Sequence, residues 1–580
     1  MKMSSNMIFK RNVELKEGGS SLISRISEAA RESGSITFVG SAASEGKGPE
    51  KLTWKELHRD ALAVAAAIQA QGISPGDHVA FLGPTTRNLV TALQAAWLAG
   101  ACVTILPIPM RLDSIEQFIS QCRGLMKYGD CSLLLLDPDM AAYYQPDAED
   151  PQIIQLDQVQ PGSTGFKPED YREVPEDPER LAILQFTSGA TSEPKGVMLP
   201  HRCVCANVDG MIQAAEVKLE DTLVSWLPLY HDMGLIGFLT LPMILGCSLI
   251  LASPQDFLSK PANWMRWLDE YKATITAGPN FSWVLASRSL KRMKETGESP
   301  DLSNMRIALN GAEPIDPQAV DRFVEIGRDF GFPSEAVFCA FGIAEVTLAG
   351  SFSPLMRGMV CDTVERFALE EKRIAQPAEP EAKTTKRLPL LGEPLPGLEM
   401  RIRDLDTGEF KDIREVGELE IRGKSLTTGY YKRPDLKETQ FNGEWLCTGD
   451  LAYFVEPAKG ENPELVLCGR IKDVIIVSGR NIFPEDIERA AGEVEGIRTG
   501  NVIAFGMEGS RGKESIVVVA ETKEQENLEE LCKNIRQKAV EVCSIPPKDI
   551  KIVPPGTVPK TSSGKLQRSL CKKKYYQEEL

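Results

Sequence analysis

Hydrophobic and polar positions along the first half of the chain repeat one pattern, an amphipathic helix followed by a short apolar strand. Thr53 and Glu56 have the spacing of a capping box, and the apolar residues from Leu57 to Ile68 recur on one helix face. A Ser-Pro-Gly-Asp turn then leads to a predicted strand at 79–82. The same order recurs at 88–106 and 264–277. Helices that alternate with β-branched strands predict layered α/β sheets with mostly parallel strands.

The pattern changes at about residue 357. Between Asp362 and Arg387 the chain has six acidic and six basic residues, two prolines and little periodicity, which predicts that residues 357–390 form a surface insertion, partly helical around 364–373. We expect it to dock on the large domain's surface through four apolar anchors: Val364, Phe367, Leu369 and Ile374. Short strands and turns at 391–470 predict a barrel-like β subdomain.

These patterns predict two domains of unequal size. The large N-terminal domain, residues 1–470, is expected to combine layered α/β sheets with the insertion and the β-rich subdomain. The small C-terminal domain, residues 471–580, is expected to have an α+β fold, with Pro484 near the first turn of a helix. The residues 469–473, Gly-Arg-Ile-Lys-Asp, are the predicted hinge between them.

One apolar segment has the length of a membrane span. Residues 233–252 contain no charged side chain, and twenty such residues can cross a bilayer. Pro242 and a Gly-Cys-Ser break at 246–248 interrupt the segment, and polar residues at 230–232 precede it directly. We therefore predict a buried helix and a strand at 249–252. Residues 1–11 lack an apolar core of signal-peptide length, so we expect a soluble protein.

Composition narrows the class of protein. The chain has 580 residues, of which 42% are hydrophobic and 26% charged, and this excludes disorder, collagen and coiled coil. The 66 basic and 82 acidic residues give a net charge of −16, which disfavours nucleic acid or an anionic membrane as the main partner. Thirteen cysteines without a C-x-x-C pair, and four histidines, disfavour a disulfide framework or a zinc site. We expect a cytoplasmic location.

A polar loop at 187–196 follows the predicted buried strand at 181–186. Its glycines permit close backbone approach, and its hydroxyl groups and lysine suit phosphate oxygens. The P-loop pattern is absent, because that pattern has glycine immediately before lysine and here Lys195 precedes Gly196. Taken alone, the loop fits either an ordinary polar turn or a phosphate site. The candidate phosphate-binding residues are Thr187, Ser188, Gly189, Ala190, Thr191 and Lys195.

Five further motifs accompany this loop. They are Asn310-Gly-Ala-Glu-Pro314, Phe341-Gly-Ile-Ala-Glu345, Thr448-Gly-Asp450, Gly469-Arg-Ile-Lys-Asp473 and Pro559-Lys-Thr-Ser-Ser-Gly-Lys565. In this order and spacing, the motifs resemble those of the AMP-forming adenylating superfamily, which includes acyl-CoA synthetases, peptide-synthetase adenylation domains and luciferases. The resemblance extends from about residue 50 to residue 570.

The resemblance implies a reaction in which a carboxylate attacks the α-phosphorus of ATP, giving an acyl adenylate and pyrophosphate. Two anions must meet, so positive charge is needed where negative charge develops. By resemblance, Lys565 bridges the carboxylate and the α-phosphate, and His231 lies beside the nascent adenylate. Glu345 is the implied Mg²⁺ ligand, supported by Thr187. The plainer alternatives are a solvated lysine in the C-terminal segment and a histidine buried in the core.

The nucleotide contacts are also implied by resemblance. Asp450 matches the carboxylate that accepts both ribose hydroxyls, and Arg470 the base that assists it. The motifs at 310–314 and 341–345 resemble the adenine pocket; Phe341 stands where the family often has tyrosine, so a hydroxyl contact is absent there. The implied cofactor-binding residues are Thr187, Ser188, Gly189, Ala190, Thr191, Lys195, Asn310, Gly311, Ala312, Glu313, Phe341, Gly342, Ile343, Ala344, Glu345, Asp450, Arg470 and Lys472.

Three features are most similar to fatty acyl-AMP ligases: the segment Leu227-Pro-Leu-Tyr-His-Asp-Met-Gly-Leu235, the Asn-Gly-Ala-Glu-Pro motif and the insertion. Those enzymes form acyl adenylates from medium- or long-chain fatty acids with ATP and Mg²⁺, and pass them to a phosphopantetheine carrier protein. The implied acyl-binding residues are His231, Met233, Gly234 and Ile236, although apolar helix faces are usually core.

Two alternatives remain open at this point. A fatty acyl-CoA synthetase that uses free coenzyme A shares every catalytic residue. A non-catalytic module that binds acyl adenylates is disfavoured, because the chain keeps Lys565, Glu345 and Asp450 together. We also hypothesise that the insertion, docked near the hinge, restricts the small domain's rotation and so disfavours free coenzyme A.

Overall fold

Two β-sheets with mostly parallel strands form the core of the large N-terminal domain, which confirms the α/β prediction. The computed structural model describes residues 7–11, 13–43, 48–108, 114–187, 195–379, 385–458, 460–477, 479–508, 514–561 and 564–580. In the first sheet, five parallel strands are followed by one antiparallel strand. Their order is Gln152–Gln155, Cys131–Leu136, His78–Leu82, Cys102–Ile105, Leu181–Thr187 and Lys195–Pro200.

The second sheet has nine strands, of which six in the centre are parallel and three at the edges pair antiparallel. The carboxyl ends of the parallel strands share one edge, so the motifs that follow them come together there. The order is Glu393–Pro394, Ala349–Phe352, Val337–Gly342, Ile307–Asn310, Ile275–Gly278, Thr222–Ser225, Ser248–Ala252, Ser35–Val39 and Glu50–Thr53.

Helices connect these strands, and one continuous cluster of buried apolar side chains joins them to both sheets. The predicted capping box is present, with Thr53 and Glu56 bonding to each other's backbone amides. The α-helices are Leu22–Ala29, Trp54–Ala70, Arg87–Leu98, Ile115–Tyr128, Pro138–Ala141, His201–Ala215, Leu241–Leu245, Pro254–Ser259, Ala262–Glu270, Asn280–Thr296 and Pro317–Gly327. Short 3₁₀ turns span Gly40–Ala42, Leu156–Val159, Pro168–Asp170, Arg328–Phe330, Ser334–Ala336, Ala344–Val346 and Ile471–Asp473.

The uncharged segment at 233–252 is a buried helix followed by the strand Ser248–Ala252, as predicted. Its first part, Met233–Thr240, is a π-helix, which the sequence analysis did not predict. The Thr240 hydroxyl donates to the Leu235 carbonyl at 2.8 Å and helps to satisfy the widened turn. π-Helical turns are frequent at functional sites. Within the described ranges, no helix is long and apolar enough to cross a membrane.

The β-rich part at 391–470 is a five-stranded antiparallel sheet. Its long strand Trp445–Val455 pairs with three others, and among the described strands no pairing closes the sheet into a barrel. The other strands are Leu398–Arg403, Gly417–Gly423, Phe441–Asn442 and Glu464–Arg470, and one helix, Pro434–Gln440, precedes the short strand.

The insertion contains more regular structure than its sequence predicts. Two antiparallel strands, Cys361–Glu365 and Thr385–Pro389, flank the helix Arg366–Lys372. Val364 and Leu369 are buried with side chains of the five-stranded sheet, as expected of anchors. Ile374 is 42% exposed, so it does not anchor the insertion. The Phe367 ring lies against a guanidinium of the C-terminal part instead, 4.8 Å from Arg480.

The smaller C-terminal domain has its own α+β core. A two-stranded pair, Ile475–Val477 and Arg480–Ile482, precedes a three-stranded sheet of Ile497–Glu508, Glu514–Thr522 and Asp549–Val553. Its helices are Pro484–Gly492, Leu528–Cys543 and Arg568–Tyr576. The boundary at residue 470 stays a prediction.

Candidate active site

A cavity of about 1050 Å³ lies at the carboxyl ends of the parallel strands, and residues of both domains line it. Four predicted site residues, Ser188, Gly189, Ala190 and Thr191, lie outside the described part of the chain. The predicted residues that line the cavity are Thr187, Lys195, His231, Met233, Gly311, Ala312, Glu313, Phe341, Gly342, Ile343, Ala344, Glu345, Asp450, Arg470, Lys472 and Lys565. The structure thus brings together residues of all six motifs.

Lys565 of the small domain is partly buried, and it interacts electrostatically with two carboxylates of the large domain, Asp232 and Glu313. Burial lowers the pKa of Lys565, while the negative charges of Asp232 and Glu313 act to raise it. The turn that carries Lys565 is closed by hydrogen bonds. The Thr561 amide donates to the Lys565 carbonyl at 2.8 Å, and the Lys565 amide donates to the Thr561 hydroxyl at 3.0 Å. These two hydrogen bonds position the backbone of Lys565 relative to Thr561.

Asp232 is bonded to His231 and lies in the electrostatic field of Lys565. Its Oδ1 lies 2.6 Å from His231 Nδ1 and accepts the Met233 amide at 2.7 Å. This separation fits a ring N–H at Nδ1 that donates to the carboxylate, so Asp232 fixes the orientation of the imidazole ring. Burial acts to raise the pKa of Asp232, but His231 and Lys565 outweigh it, so the pKa lies below its usual value. The ionised carboxylate orients the His231 ring and attracts the Lys565 ammonium group electrostatically.

Glu313 combines two contacts. Its Oε1 accepts the Phe281 amide at 2.7 Å, in the first turn of the helix Asn280–Thr296, where negative charge is favourable. Burial raises the pKa of Glu313, although the Phe281 amide and Lys565 oppose this. Its carboxylate is thus held by the sheet's neighbouring helix while it faces the lysine.

Glu345 is oriented by a tyrosine that the sequence analysis missed. The Tyr430 hydroxyl donates to Glu345 Oε1 at 2.9 Å, and the Thr427 amide donates to the Glu345 carbonyl at 2.8 Å. Burial, and then the charge of Glu345, raise the pKa of Tyr430 far above its usual range, so the phenol remains a donor. Lys195 Nζ lies 5.8 Å from the centre of the same ring. One tyrosine therefore links the polar loop to Glu345.

Asp450 and Arg470 face each other across two paired strands of the β-rich sheet. Arg470 Nε lies 3.3 Å from Asp450 Oδ1. Burial raises the pKa of Asp450 to about 6, with Arg470 opposing the shift and Glu345 adding to it. Burial and the positive charge of Arg470 lower the pKa of Lys472 nearby. A carboxylate held in this way can accept hydrogen bonds from ligand hydroxyl groups.

Three predicted residues lie outside the cavity lining. Asn310 is buried, and its amide nitrogen lies 3.3 Å from Asn280 Oδ1. Gly234 lies against a backbone carbonyl, since a Cβ built there would be 2.3 Å from the Pro228 oxygen. Ile236 is fully buried in the core. The roles assigned to these three in ligand binding stay predictions.

Arg568 forms a buried charge network three residues after Lys565. Its Nη1 lies 2.8 Å from Asp473 and 3.0 Å from Glu485, and its Nη2 lies 2.7 Å from Glu488. Asp473 ends the 3₁₀ turn at the predicted hinge, and both glutamates belong to the helix Pro484–Gly492. Burial raises the pKa of Glu485 to about 7, although Arg568 opposes this. The arginine thus ties the Lys565 turn to the hinge.

The sequence did not predict roles for Tyr430 or Arg568. It also predicted none for Asp232, although Asp232 belongs to the segment 227–235 that resembles fatty acyl-AMP ligases. The position of Arg568, so close to the lysine motif, is a signal that could have been followed. Tyr430 offers no such signal, because its partner Glu345 is 85 residues away in the chain. The insertion also reaches the cavity, which Lys386 and Arg387 line.

Comparison with known proteins places this geometry in a family. The model of the AMP-binding enzyme family matches residues 27–431, and a model described as the AMP domain of Disco-interacting protein 2-like proteins matches residues 472–580. The putative ligase Rv1013 of Mycobacterium tuberculosis is 36% identical over 94% of this chain and 99% of its own length. The long-chain-fatty-acid–AMP ligase FadD26 of Mycobacterium marinum is 30% identical over 91% of each chain.

A solved structure from studies of fatty acyl-adenylate ligases of E. coli and L. pneumophila has a similar fold. It matches with a TM-score of 0.86 and 28% sequence identity, over 96% of this chain and 98% of that one.

The Arg568 network generates a prediction about the small domain. Arg568 is only 15% exposed, so Arg568→Met leaves three carboxylates without their shared cation. Loss of one partner from a buried ion network costs about 3–5 kcal/mol. We expect faster amide hydrogen exchange throughout the small domain and earlier unfolding in urea. Lys573→Met, at an exposed position of the same helix, is the control and should change neither. Equal exchange in the two variants would contradict the role of Arg568.

Proposed function

The chain belongs to the family of AMP-binding enzymes, and on that premise we propose that it activates medium- to long-chain fatty acids as acyl adenylates, with release of pyrophosphate. The observation that carries this proposal is the position of Lys565. Its ammonium group lies at the polar end of a cavity whose remaining lining includes many apolar side chains. An acyl chain suits the apolar part, and the carboxylate and α-phosphate would meet at the lysine.

The charged residues of the cavity support the proposed ATP site. Asp450 would accept the ribose hydroxyls, and Lys195, Arg470 and Lys472 would face the phosphates and their surroundings. Glu345 and the Thr187 hydroxyl supply oxygen ligands, the type that Mg²⁺ prefers, and Tyr430 fixes the orientation of the Glu345 carboxylate. When bound, Mg²⁺ would neutralise negative charge on the phosphates. His231, oriented by Asp232, would hold the carboxylate end of the fatty acid.

Removal of the Lys565 ammonium tests the proposal directly. Lys565→Ala should lower fatty-acid-dependent ATP–pyrophosphate exchange by about 10²–10³-fold, the cost of losing one donor to the transition state. The fold should remain, as judged by circular dichroism and by the melting temperature. Lys573→Ala, in the exposed C-terminal helix, is the matched control. Near wild-type exchange by Lys565→Ala would move the role to another base such as Lys560. Absence of exchange by the wild type with every fatty acid would refute the proposed function.

Asp450 gives the reaction a specific pH dependence. Its pKa of about 6 means that the carboxylate predominates above pH 6 and is lost as the pH falls below that value. If the protonated form does not bind ATP, the KM for ATP at pH 5 should rise about tenfold relative to pH 7, since only about a tenth of the sites remain competent. Asp450→Asn should bind ATP weakly at both pH values. A constant wild-type KM for ATP between pH 7 and pH 5 would contradict this role.

We also propose that the adenylate passes to the thiol of a carrier protein's phosphopantetheine rather than to free coenzyme A. The insertion supports this step because it is bound to the small domain. Lys386 Nζ lies 2.7 Å from Asp486 Oδ2, with both side chains only 5–6% exposed. Asn481 donates to the Glu370 carbonyl at 2.8 Å, and Arg480 pairs with the Glu370 carboxylate. Rotation of the small domain would break these contacts, whereas carrier docking raises the effective thiol concentration.

A substitution that removes the buried pair tests this step. Lys386→Met combined with Asp486→Leu replaces both charges by apolar groups, which leaves no unpaired charge between them. We expect acyl-AMP formation to persist and acyl-CoA formation to rise at least about tenfold over the wild type. Arg373→Met is the control, because Arg373 pairs with Asp406 of the large domain. No gain of acyl-CoA in the double variant would place the discrimination elsewhere, and equal use of both thiols by the wild type would refute carrier preference.

A further inference from the structure

The cavity continues from its polar end along one face of the nine-stranded sheet, where its lining becomes apolar. Ile307 and Leu309 lie two residues apart on one strand, and Phe338 and Ala340 lie two apart on the next, so each pair shares a face. Phe238 of the π-helix also lines this part. The apolar lining therefore runs parallel to the strands, from their carboxyl ends towards their amino ends.

The lining stops at one row of side chains across the sheet. Ile275 is in register with Ile307 on one neighbouring strand and with Leu223 on the other, and all three line the cavity. Ala215 and Val217, around the end of the helix His201–Ala215, also line it. Thr274 and Arg306 immediately precede the strands Ile275–Gly278 and Ile307–Asn310. Both side chains are polar, and neither lines the cavity.

Thr274 and Arg306 form a hydrogen-bonded cluster with Asp221 next to this row, and we call this cluster the latch. Arg306 binds both oxygens of Asp221, with Nε–Oδ1 at 2.8 Å and Nη2–Oδ2 at 2.5 Å. The same guanidinium donates to the carbonyls of Ala215 at 3.2 Å and Glu216 at 2.8 Å. The Thr274 hydroxyl donates to Asp221 Oδ1 at 2.7 Å. The latch thus ties the end of a helix to the amino edge of two strands.

The two charged side chains of the latch are mostly shielded from solvent. The Asp221 side chain is 6% exposed and that of Arg306 is 21% exposed. Burial acts to raise the pKa of Asp221, but Arg306 and the Lys218 amide outweigh it and the pKa falls below its usual value. Removal of one partner from such a pair is strongly destabilising, because the other charge stays buried. An acyl chain that extended beyond the row of Leu223, Ile275 and Ile307 would therefore have to break the Arg306–Asp221 ion pair.

We propose that the Arg306–Asp221 latch, with the row of Leu223, Ile275 and Ile307 above it, is the floor of the acyl site and limits the fatty acid to medium length. The proposal rests on the proposed adenylation function. Four residue steps separate Ile307 from Gly311 at the polar end, which is roughly 13 Å at about 3.3 Å per residue. A saturated chain advances about 1.25 Å per carbon. Chains of about ten to twelve carbons therefore fill the site.

The first test is a ladder of saturated fatty acids from six to eighteen carbons in ATP–pyrophosphate exchange with the full chain. The wild type should show its highest kcat/KM at about ten to twelve carbons and lose at least about tenfold by sixteen. A wild-type optimum at sixteen or eighteen carbons would overturn the floor. Activity that is independent of chain length would overturn it too, while leaving the adenylation function standing. If no chain length supports exchange, both proposals fall.

Two variants change the floor in opposite directions. Ala215→Phe fills the end of the site and should shift the optimum down by about two to four carbons. Ala214→Phe is the matched control, because Ala214 is buried in the same helix but does not line the cavity. The ratio of activity with eight-carbon to that with fourteen-carbon fatty acid is measured within one preparation. A partial loss of folded protein lowers both activities equally and therefore leaves the ratio unchanged. An unchanged ratio in Ala215→Phe would contradict the proposal.

Arg306→Ala combined with Asp221→Ala removes both charges of the latch. The ratio of activity at sixteen carbons to that at twelve should rise about tenfold. Arg266→Ala combined with Glu298→Ala removes another bidentate pair that does not line the cavity, and should leave the ratio unchanged. A latch variant with the wild-type ratio would show that another part of the site sets the length.

Discussion

The electrostatic interaction of one partly buried lysine with two carboxylates links the two domains at the cavity. Lys565 belongs to the small domain, while Asp232 and Glu313 belong to the large domain. Each carboxylate is fixed by a backbone amide in the first turn of a helix: Met233 for Asp232 and Phe281 for Glu313. Both helices follow parallel strands of the nine-stranded sheet in the chain. The sheet therefore positions the helices, the helices position the carboxylates, and the negative charge of the carboxylates acts on the lysine.

The cavity is lined by both cationic and anionic side chains. Among the predicted residues that line it, the cations are Lys195, Arg470, Lys472 and Lys565, and Asp450, Glu313 and Glu345 are carboxylates. Asp232 adds a fourth carboxylate. Desolvation is the largest cause of the raised pKa of Asp450 and of the lowered pKa of Lys472, so charge is costly here without a partner. These four cations are matched in number by the four carboxylates, and a triphosphate would bring further negative charge into the site. This supports the proposal that a divalent cation accompanies ATP.

How much the sequence predicted depended on the range of each interaction. Local signals succeeded: the capping box at Thr53, the alternation of helices and strands in the α/β layers and the helix that begins at Pro484 follow from residues close in the chain. Residues of all six motifs line the cavity, because parallel strands bring their carboxyl ends to one edge of the sheet. The π-helix was missed, since its apolar residues fit an α-helix equally well. The Tyr430–Glu345 and Arg306–Asp221 contacts were missed because each joins residues 85 apart in the chain.

The insertion shows the same limit in a different form. Its balanced charges predicted a solvated surface, but a charge that finds a buried partner becomes part of a core. Lys386 does so with Asp486 of the small domain, and its ammonium lies 4.3 Å from the centre of the Phe483 ring. Composition alone cannot distinguish a solvated lysine from a paired one.

The strands that lead to the polar end of the cavity also separate it from the proposed end of the acyl site. The polar groups follow the last residue of each strand, and the proposed floor lies at the first residue, so the length of the strand sets the distance between them. Strand length is fixed by the packed core on both sides of the sheet and cannot change without disturbing it. If the Arg306–Asp221 pair closes the acyl site as proposed, side chains at that end, such as Ala215, or the ion pair itself can adjust the chain-length preference. The proposed reaction chemistry and the proposed chain-length preference then lie at opposite ends of the same strands, so that one can change while the other is kept.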